Sequence, residues 1–282
     1  MSRTPAMFIG HGSPMNTLTT NRYTTAWRDL GTALGRPRAL LVVSAHWFIG
    51  ATAVTAMPSP RTIHDFYGFP QALFDVEYPA PGAPDVAQEV AEVAKPTWVG
   101  LDRDQWGLDH GTWSVLAHMF PDADVPVVQL SINALKPLEY HVELGARLAP
   151  LRERGIAILA SGNVVHNLGL VDRTQPDTGF DWAQRFDDAV HDVLTTDPGR
   201  ILSVTSHADY PVAVPTPDHF IPLLYVAGLA AGQDVAGAPV RGYSLGSLSM
   251  TAYTVGHCES ASARGAPSAS LPAGVPADQT NT

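Results

Sequence analysis

The chain has 282 residues, 45% of them hydrophobic and 16% charged, which is enough apolar content for a buried core and too much for a disordered chain. Its formal net charge of -10 argues against a general nucleic-acid binder, which would carry a basic patch or stripe. A single cysteine, Cys258, leaves no intrachain disulfide and fits a reducing cytoplasm; no signal-peptide core and no apolar run of membrane-spanning length is read.

Ala6 to Ile9 reads as a buried strand that breaks into Gly10-His11-Gly12-Ser13-Pro14. Tyr23 to Leu34 follows as an amphipathic helix with Trp27, Leu30 and Leu34 on one face. Ala39 to Ser44 is a continuous apolar run without polar alternation, the pattern of a strand covered on both faces, and it leads into Ala45-His46-Trp47. Ala51 to Ala56 reads as a short strand. Pro58 to Pro84 is rich in proline and aromatics and too long for a simple connector, so a functional lid or wall is expected there. Helices are expected over Asp85–Ala94 and Thr112–Met119, the second just after the glycine-flanked His110. Val125–Leu130 reads as a strand, Pro137–Arg154 as one helix, and Ile156–Ala160 as a strand entering Ser161-Gly162-Asn163-Val164-Val165-His166-Asn167. Trp182–Leu194 reads as a helix and Ser203–Pro215 as a loop. Thr216 is the expected N-cap of a helix running through Ile221–Ala230, and Ser244–Tyr253 a last strand. The alternation predicts α/β: a single domain with a mostly parallel central sheet flanked by helices. A catalytic domain over 1–257 and a disordered, low-complexity tail over 258–282 are expected.

His11, His46, His110 and His166 follow strand-like runs or sit in glycine-rich turns, and His219 lies at a helix start. Parallel strands end on one edge, so these side chains can converge at the carboxyl edge of the sheet. Divalent iron and zinc both accept imidazole nitrogen, and a catalytic site typically uses about three protein ligands with one position open. Taken singly, each histidine is equally well a hydrogen-bonded structural residue, and only the recurrence at strand ends argues for a site. His118, His141, His191 and His257 are expected to be structural or exposed. Phosphate-binding and dinucleotide-binding signatures are missing.

Gly10-His11-Gly12-Ser13-Pro14-Met15, Ser44-Ala45-His46-Trp47, Thr62-Ile63-His64-Asp65-Phe66, Asp109-His110-Gly111, Ser161 through Asn167 and Pro217-Asp218-His219-Phe220, in this order, resemble the 4,5-DOPA extradiol dioxygenase family. This is a branch of the class III, LigB-type extradiol ring-cleavage dioxygenases, and the resemblance runs from about Pro5 to about Tyr253. It implies a mononuclear non-haem Fe(II) site, often occupied by zinc in purified protein, that inserts both atoms of O2 into a catechol. By position, His11, His46 and His219 resemble the metal ligands, with Asp218 the less favoured ligand. His166 resembles the active-site base and a group that approaches a resting zinc. His110 resembles the second acid/base or substrate-orienting group. His64 and Phe66, with Asp65, Tyr67 and Phe69, are candidates for a wall against an aromatic substrate, with ordinary loop packing as the other reading. Asn163, a candidate toward substrate, and Asn167 are expected as hydrogen-bond partners at the site, or else as turn residues. His207-Ala208-Asp209-Tyr210-Pro211 departs from the His-Pro motif of plant family members, which weakens L-DOPA as the substrate. The other readings are a zinc-dependent hydrolase and a non-catalytic metal-binding relative.

Overall fold

Apolar runs with no polar alternation form the middle of the sheet because both of its faces are covered. The computed structural model describes residues 3–232 and 235–256. The strands are β1 (Ala6–Gly10), β2 (Ala39–Ile49), β3 (Ala53–Thr55), β4 (Gly100–Asp102), β5 (Val127–Asn133), β6 (Ile156–Gly162), β7 (Gly237–Val240), β8 (Tyr243–Ser244), β9 (Leu248–Ser249) and β10 (Ala252–Val255). The helices are α1 (Arg22–Leu34), α2 (Gln71–Phe74), α3 (Pro84–Val93), α4 (His110–Met119), α5 (Leu138–Arg147), α6 (Ala149–Glu153), α7 (Asp181–Thr196), α8 (Tyr210–Ala213) and α9 (Ile221–Ala230). An eight-stranded sheet runs in the order β4-β3-β5-β2-β6-β1-β10-β7. Its centre, β5-β2-β6-β1, is parallel throughout, while β3 lies antiparallel to β5 and β10 antiparallel to β1. This is one α/β domain, and no described helix is long and apolar enough to cross a membrane.

Side chains alternate across the strands and feed two separate cores. Phe8, Leu41, Val43 and Ile158 pack on one face with residues of α3, α5, α7 and α9. Met7, Ile9, Leu40, Val42 and Leu159 pack on the other, against Trp27 and Leu30 of α1 and Trp113 and Leu116 of α4. All ten residues of α9 are buried, which accounts for its lack of a polar stripe.

His141 of α5 is fully buried, with Nδ1 3.1 Å from the Tyr225 hydroxyl of α9. Burial pushes this imidazole from its ordinary 6.5 down to about 4. The unfolded chain therefore binds this proton first as the pH falls. Stability from the neutral side chain is complete above pH 6.5 and is lost progressively down to about pH 4. The expected loss is about 3 kcal/mol. Urea unfolding across this range checks it, and the acid limb should be shallower by that amount in His141→Leu.

Several expectations are corrected. The helix expected over Pro137–Arg154 is two helices, because α5 ends at Arg147 and Pro150 sits in the first turn of α6. The loop expected over Ser203–Pro215 contains the end of a 3-10 helix, Pro198–Ser206, and then α8. Thr216 is not an N-cap: α9 starts at Ile221 after a turn closed onto the Pro217 carbonyl. The strand expected over Ser244–Tyr253 is broken into pieces, with Leu245 and Gly246 at positive φ. His257 and the tail expected from Cys258 lie outside the described residues.

Candidate metal centre

β1, β2 and β6 run parallel, so His11, His46 and the turn after β6 reach the same edge. His11 follows β1; its backbone N–H donates to the Gly162 carbonyl at the end of β6, 3.0 Å away, and Gly12 turns the chain at φ +59. His46 lies inside β2 and not after it, in the irregular stretch where pairing with β5 shifts register between Val43 and Phe48. Such an irregularity re-aims a side chain that regular pleating would point elsewhere. His110 is the first residue of α4, whose N-cap is Asp109, accepting from the Thr112 N–H at 3.1 Å. A side chain on Gly111 would put Cβ 2.5 Å from Ser44 Oγ and 2.8 Å from His46 Cδ2, so only glycine lets α4 start this close to β2. His219 precedes α9, and its carbonyl accepts the Asn163 N–H at 2.9 Å. The His166 N–H donates to the Ala213 carbonyl of α8, also at 2.9 Å.

The five histidines gather in one place. Ring centroids lie 5.1 Å apart for His11–His46, 5.3 Å for His11–His219 and 5.0 Å for His46–His219. His110 is 3.9 Å from His46, and His166 stacks on His219 at 3.5 Å with planes 3° from parallel. One nitrogen from each of His11, His46 and His110 lies within 4.8 Å of the others. His11, His110 and His219 are buried, and His46 and His166 are half-buried.

Hydrogen bonds fix where the imidazole protons sit. The Ser161 hydroxyl has one proton, and it donates that to the Gly111 carbonyl at 2.5 Å. Ser161 Oγ can therefore only accept from His11, whose Nδ1 is 2.9 Å away. His11 is then protonated at Nδ1, and its Nε2 lone pair is free. His219 Nδ1 donates to the Asp218 carboxylate in a short bond, and its Nε2 is buried without a hydrogen-bond partner among the described residues. His46 Nδ1 lies 3.2 Å from Asp65 Oδ2, and its Nε2 faces His11 Nε2 at 3.2 Å. Two imidazole lone pairs facing each other at this distance repel unless a cation lies between them. Buried, outward-anchored imidazoles of this kind are the donor set a borderline divalent metal accepts, so the residues fit such an ion.

The electrostatics favour the same state. Burial, reinforced by neighbouring imidazoles, holds His11 and His46 well below the ordinary histidine range, and they are neutral at neutral pH. Burial and the adjacent His219 do the same to His166. Burial alone would raise the Asp65 and Asp218 carboxyls, but the histidines against them outweigh it and both stay ionised. Asp109, fully buried and close to Asp65, is pushed up to about 6 by burial and by that neighbouring charge.

A profile described as the catalytic LigB subunit of aromatic ring-opening dioxygenase matches residues 5–257. The chain belongs to the LigB family. It is 49% identical over 259 residues to the 4,5-DOPA dioxygenase extradiol of Escherichia coli strain K12, covering 90% of this chain and 96% of that protein. It is 35% identical over 238 residues to the 4,5-DOPA dioxygenase extradiol of Beta vulgaris, covering 80% and 87%. The crystal structure of an uncharacterized E. coli K12 protein superposes with a TM-score of 0.78 at 44% identity, covering 90% of this chain and 100% of that one.

Within this LigB domain the remaining expected site residues are placed as follows. Phe66 is buried, with its ring edge-on to His110 at 5.5 Å. His64 turns Nε2 onto the Val76 carbonyl at 2.9 Å and packs on Phe66, Phe74 and Trp113. Asn163 is fully buried; its Nδ2 donates to the Ser249 carbonyl at 2.7 Å, and its Oδ1 has no partner among the described residues. Asn167 Nδ2 donates to the Val212 carbonyl at 2.8 Å. Of the others singled out by sequence, His118 Nε2 donates to the Asn16 carbonyl at 2.9 Å, away from the cluster. Sequence reasoning missed Ser161 as the anchor of His11, although it ends a strand beside a glycine. It also missed Asp218 as the anchor of His219. Ser161→Ala is expected to weaken zinc binding about 10–100-fold, as loss of an outer partner usually does, with the fold kept; competition against a chelator measures it.

Proposed function

We propose that this chain is an extradiol dioxygenase that opens a catechol ring with both atoms of O2 at a mononuclear Fe(II) centre. His11, His46 and His219 would hold the metal. The supporting observation is that Nδ1 of His11 and of His219 is hydrogen-bonded to Ser161 and Asp218, and Nδ1 of His46 lies 3.2 Å from Asp65 Oδ2, so each ring turns Nε2 away from its anchor. When bound, ferrous iron would supply Lewis acidity toward the catechol oxygens and the redox chemistry that O2 needs, whereas zinc on the same ligands has no redox chemistry.

The protein's own groups have separate tasks in this reading. His166 is half-buried and neutral at neutral pH, so it can take a proton from an entering catechol hydroxyl. His110 keeps Nε2 buried and without a partner among the described residues, and it can hold or return a proton deeper in the site. Phe66 and His64 would wall the aromatic ring, and Asn163 Oδ1 would accept from a substrate hydroxyl. The names of the relatives put L-DOPA in the panel of candidate substrates. The segment at the position of the plant motif is engaged within this chain, because Asp209 pairs with Arg185 at 2.8 Å and 3.0 Å.

The test is oxygen uptake by anaerobically Fe(II)-loaded protein across substituted catechols, L-DOPA included. Uptake with a yellow ring-opened product is expected, and zinc loading should abolish it. Iron-loaded protein that turns over no catechol would overturn the reading, and zinc-dependent hydrolysis would favour a hydrolase instead.

A further inference from the structure

A single carboxylate oxygen lies between two of the histidines. Asp65 Oδ2 is 3.2 Å from His46 Nδ1 and 3.0 Å from His110 Nδ1, and the side chains of all three residues are nearly inaccessible. Both contacts are within ion-pair distance but off the hydrogen-bond axis, as an oxygen shared by two rings with centroids 3.9 Å apart must be. The other oxygen, Oδ1, accepts the backbone N–H of His110 at 2.8 Å. The backbone leading to Asp65 is tied down as well: Ile63 N–H donates to the Leu108 carbonyl at 2.7 Å, and Thr62 bridges to Leu108. Trp113 of α4 adds an indole N–H to the Ile63 carbonyl at 2.8 Å. The long loop expected as a lid is, around these residues, a strap that carries one carboxylate into the centre.

We propose that Asp65 is the positioning residue of the centre, fixing His46 and His110 together through one oxygen in the Nδ1–H form. The proposal rests on the metal-centre reading above. An ionised carboxylate has only lone pairs to offer, so its charge favours the proton on the Nδ1 that faces it in both rings. That leaves His46 Nε2 as a lone-pair donor toward the metal. It also leaves His110 Nε2, buried and without a partner among the described residues, as a lone pair able to accept a proton. Because the two rings share one oxygen, the aim of the metal ligand and the aim of the acid/base are set by the same side chain. Asp65 touches neither metal nor substrate in this arrangement and acts through the imidazoles.

Two measurements test this on the full chain. In zinc-loaded wild-type protein, long-range proton–nitrogen NMR should show both His46 and His110 as Nδ1–H tautomers; finding either as Nε2–H overturns the proposal. In Asp65→Asn, whose shape is nearly unchanged, zinc affinity measured by chelator competition should fall about 10–100-fold. One of the two rings should also leave the Nδ1–H form. Unchanged affinity with both tautomers retained overturns the proposal. If Asp65→Asn does not fold, the wild-type spectra decide alone. Wild-type protein that shows both tautomers and binds zinc but oxygenates no catechol would sink the proposed function and leave the role of Asp65 standing.

Discussion

His11→Ala is expected to lose the metal and, with it, all ring opening. His11 is the ligand candidate held on most sides. Its backbone N–H is bonded to Gly162, its carbonyl accepts from Asn16 Nδ2 at 2.9 Å, and its Nδ1 is bonded to Ser161. The ring is therefore placed before any metal arrives. Loss of an outer hydrogen-bond partner alone costs about 10–100-fold in metal affinity, so loss of the ligand itself should cost more than about 100-fold. The cavity left at a buried site also destabilises the chain, and circular dichroism should accompany the metal analysis. A second signature is independent of activity. A ligand that binds only the folded state raises the melting temperature with its concentration. Zinc should do this for the wild type and not for His11→Ala. A variant that keeps one metal per chain would remove His11 from the ligand set.

His166→Ala is expected to keep the metal and lose turnover by about 10²–10⁴-fold, the usual range for a general acid–base group. The ring stacks on His219, its backbone N–H donates to the Ala213 carbonyl of α8, and the residue is half-buried, unlike His11, His110 and His219. That placement suits a group that meets substrate at the mouth of the site. Metal content and single-turnover rates separate the two contributions. Loss of metal in this variant would instead move His166 into the ligand set, beside His219.

Much of the sheet is legible in the sequence because burial on both faces leaves an unbroken apolar run. Ala39–Ser44 and Ile156–Ala160 need no partner to be recognised. The position of His46 does not follow in this way. It depends on a register shift between β2 and β5, which is a property of two strands and not of one. β4 is three half-buried residues and leaves no periodic signal. The break between α5 and α6 turns on Pro150, which fits inside a helix's first turn as readily as it ends one. The gathering of histidines at strand ends was legible as a pattern. Their anchors were not, because Ser161 is 150 residues from His11 and 50 from Gly111. Asp65 sits between His64 and Phe66, two candidates for the substrate wall, and its distances to His46 and His110 show that the charge of that stretch faces inward while His64 serves the loop's own backbone.

The polar support behind the site is also a tertiary feature. Asp187 of α7 is fully buried, accepts from the Ser249 hydroxyl at 2.6 Å and from Thr251 at 3.1 Å, and pairs with Arg241 at 2.8 Å. Through Ser249 this network holds the backbone that receives Asn163 Nδ2 and bonds Val165. Nothing in the sequence around Asp187 distinguishes it from the solvated acids of the same helix.

The most direct measurement is the mass of the product formed by iron-loaded protein from a catechol under isotopically labelled dioxygen, quenched before the aldehyde oxygen exchanges with water. Both labelled atoms should appear in a single ring-opened product. A product carrying only solvent oxygen, or none formed while the iron is fully bound, would contradict the assignment of this histidine cluster as an extradiol dioxygenase centre.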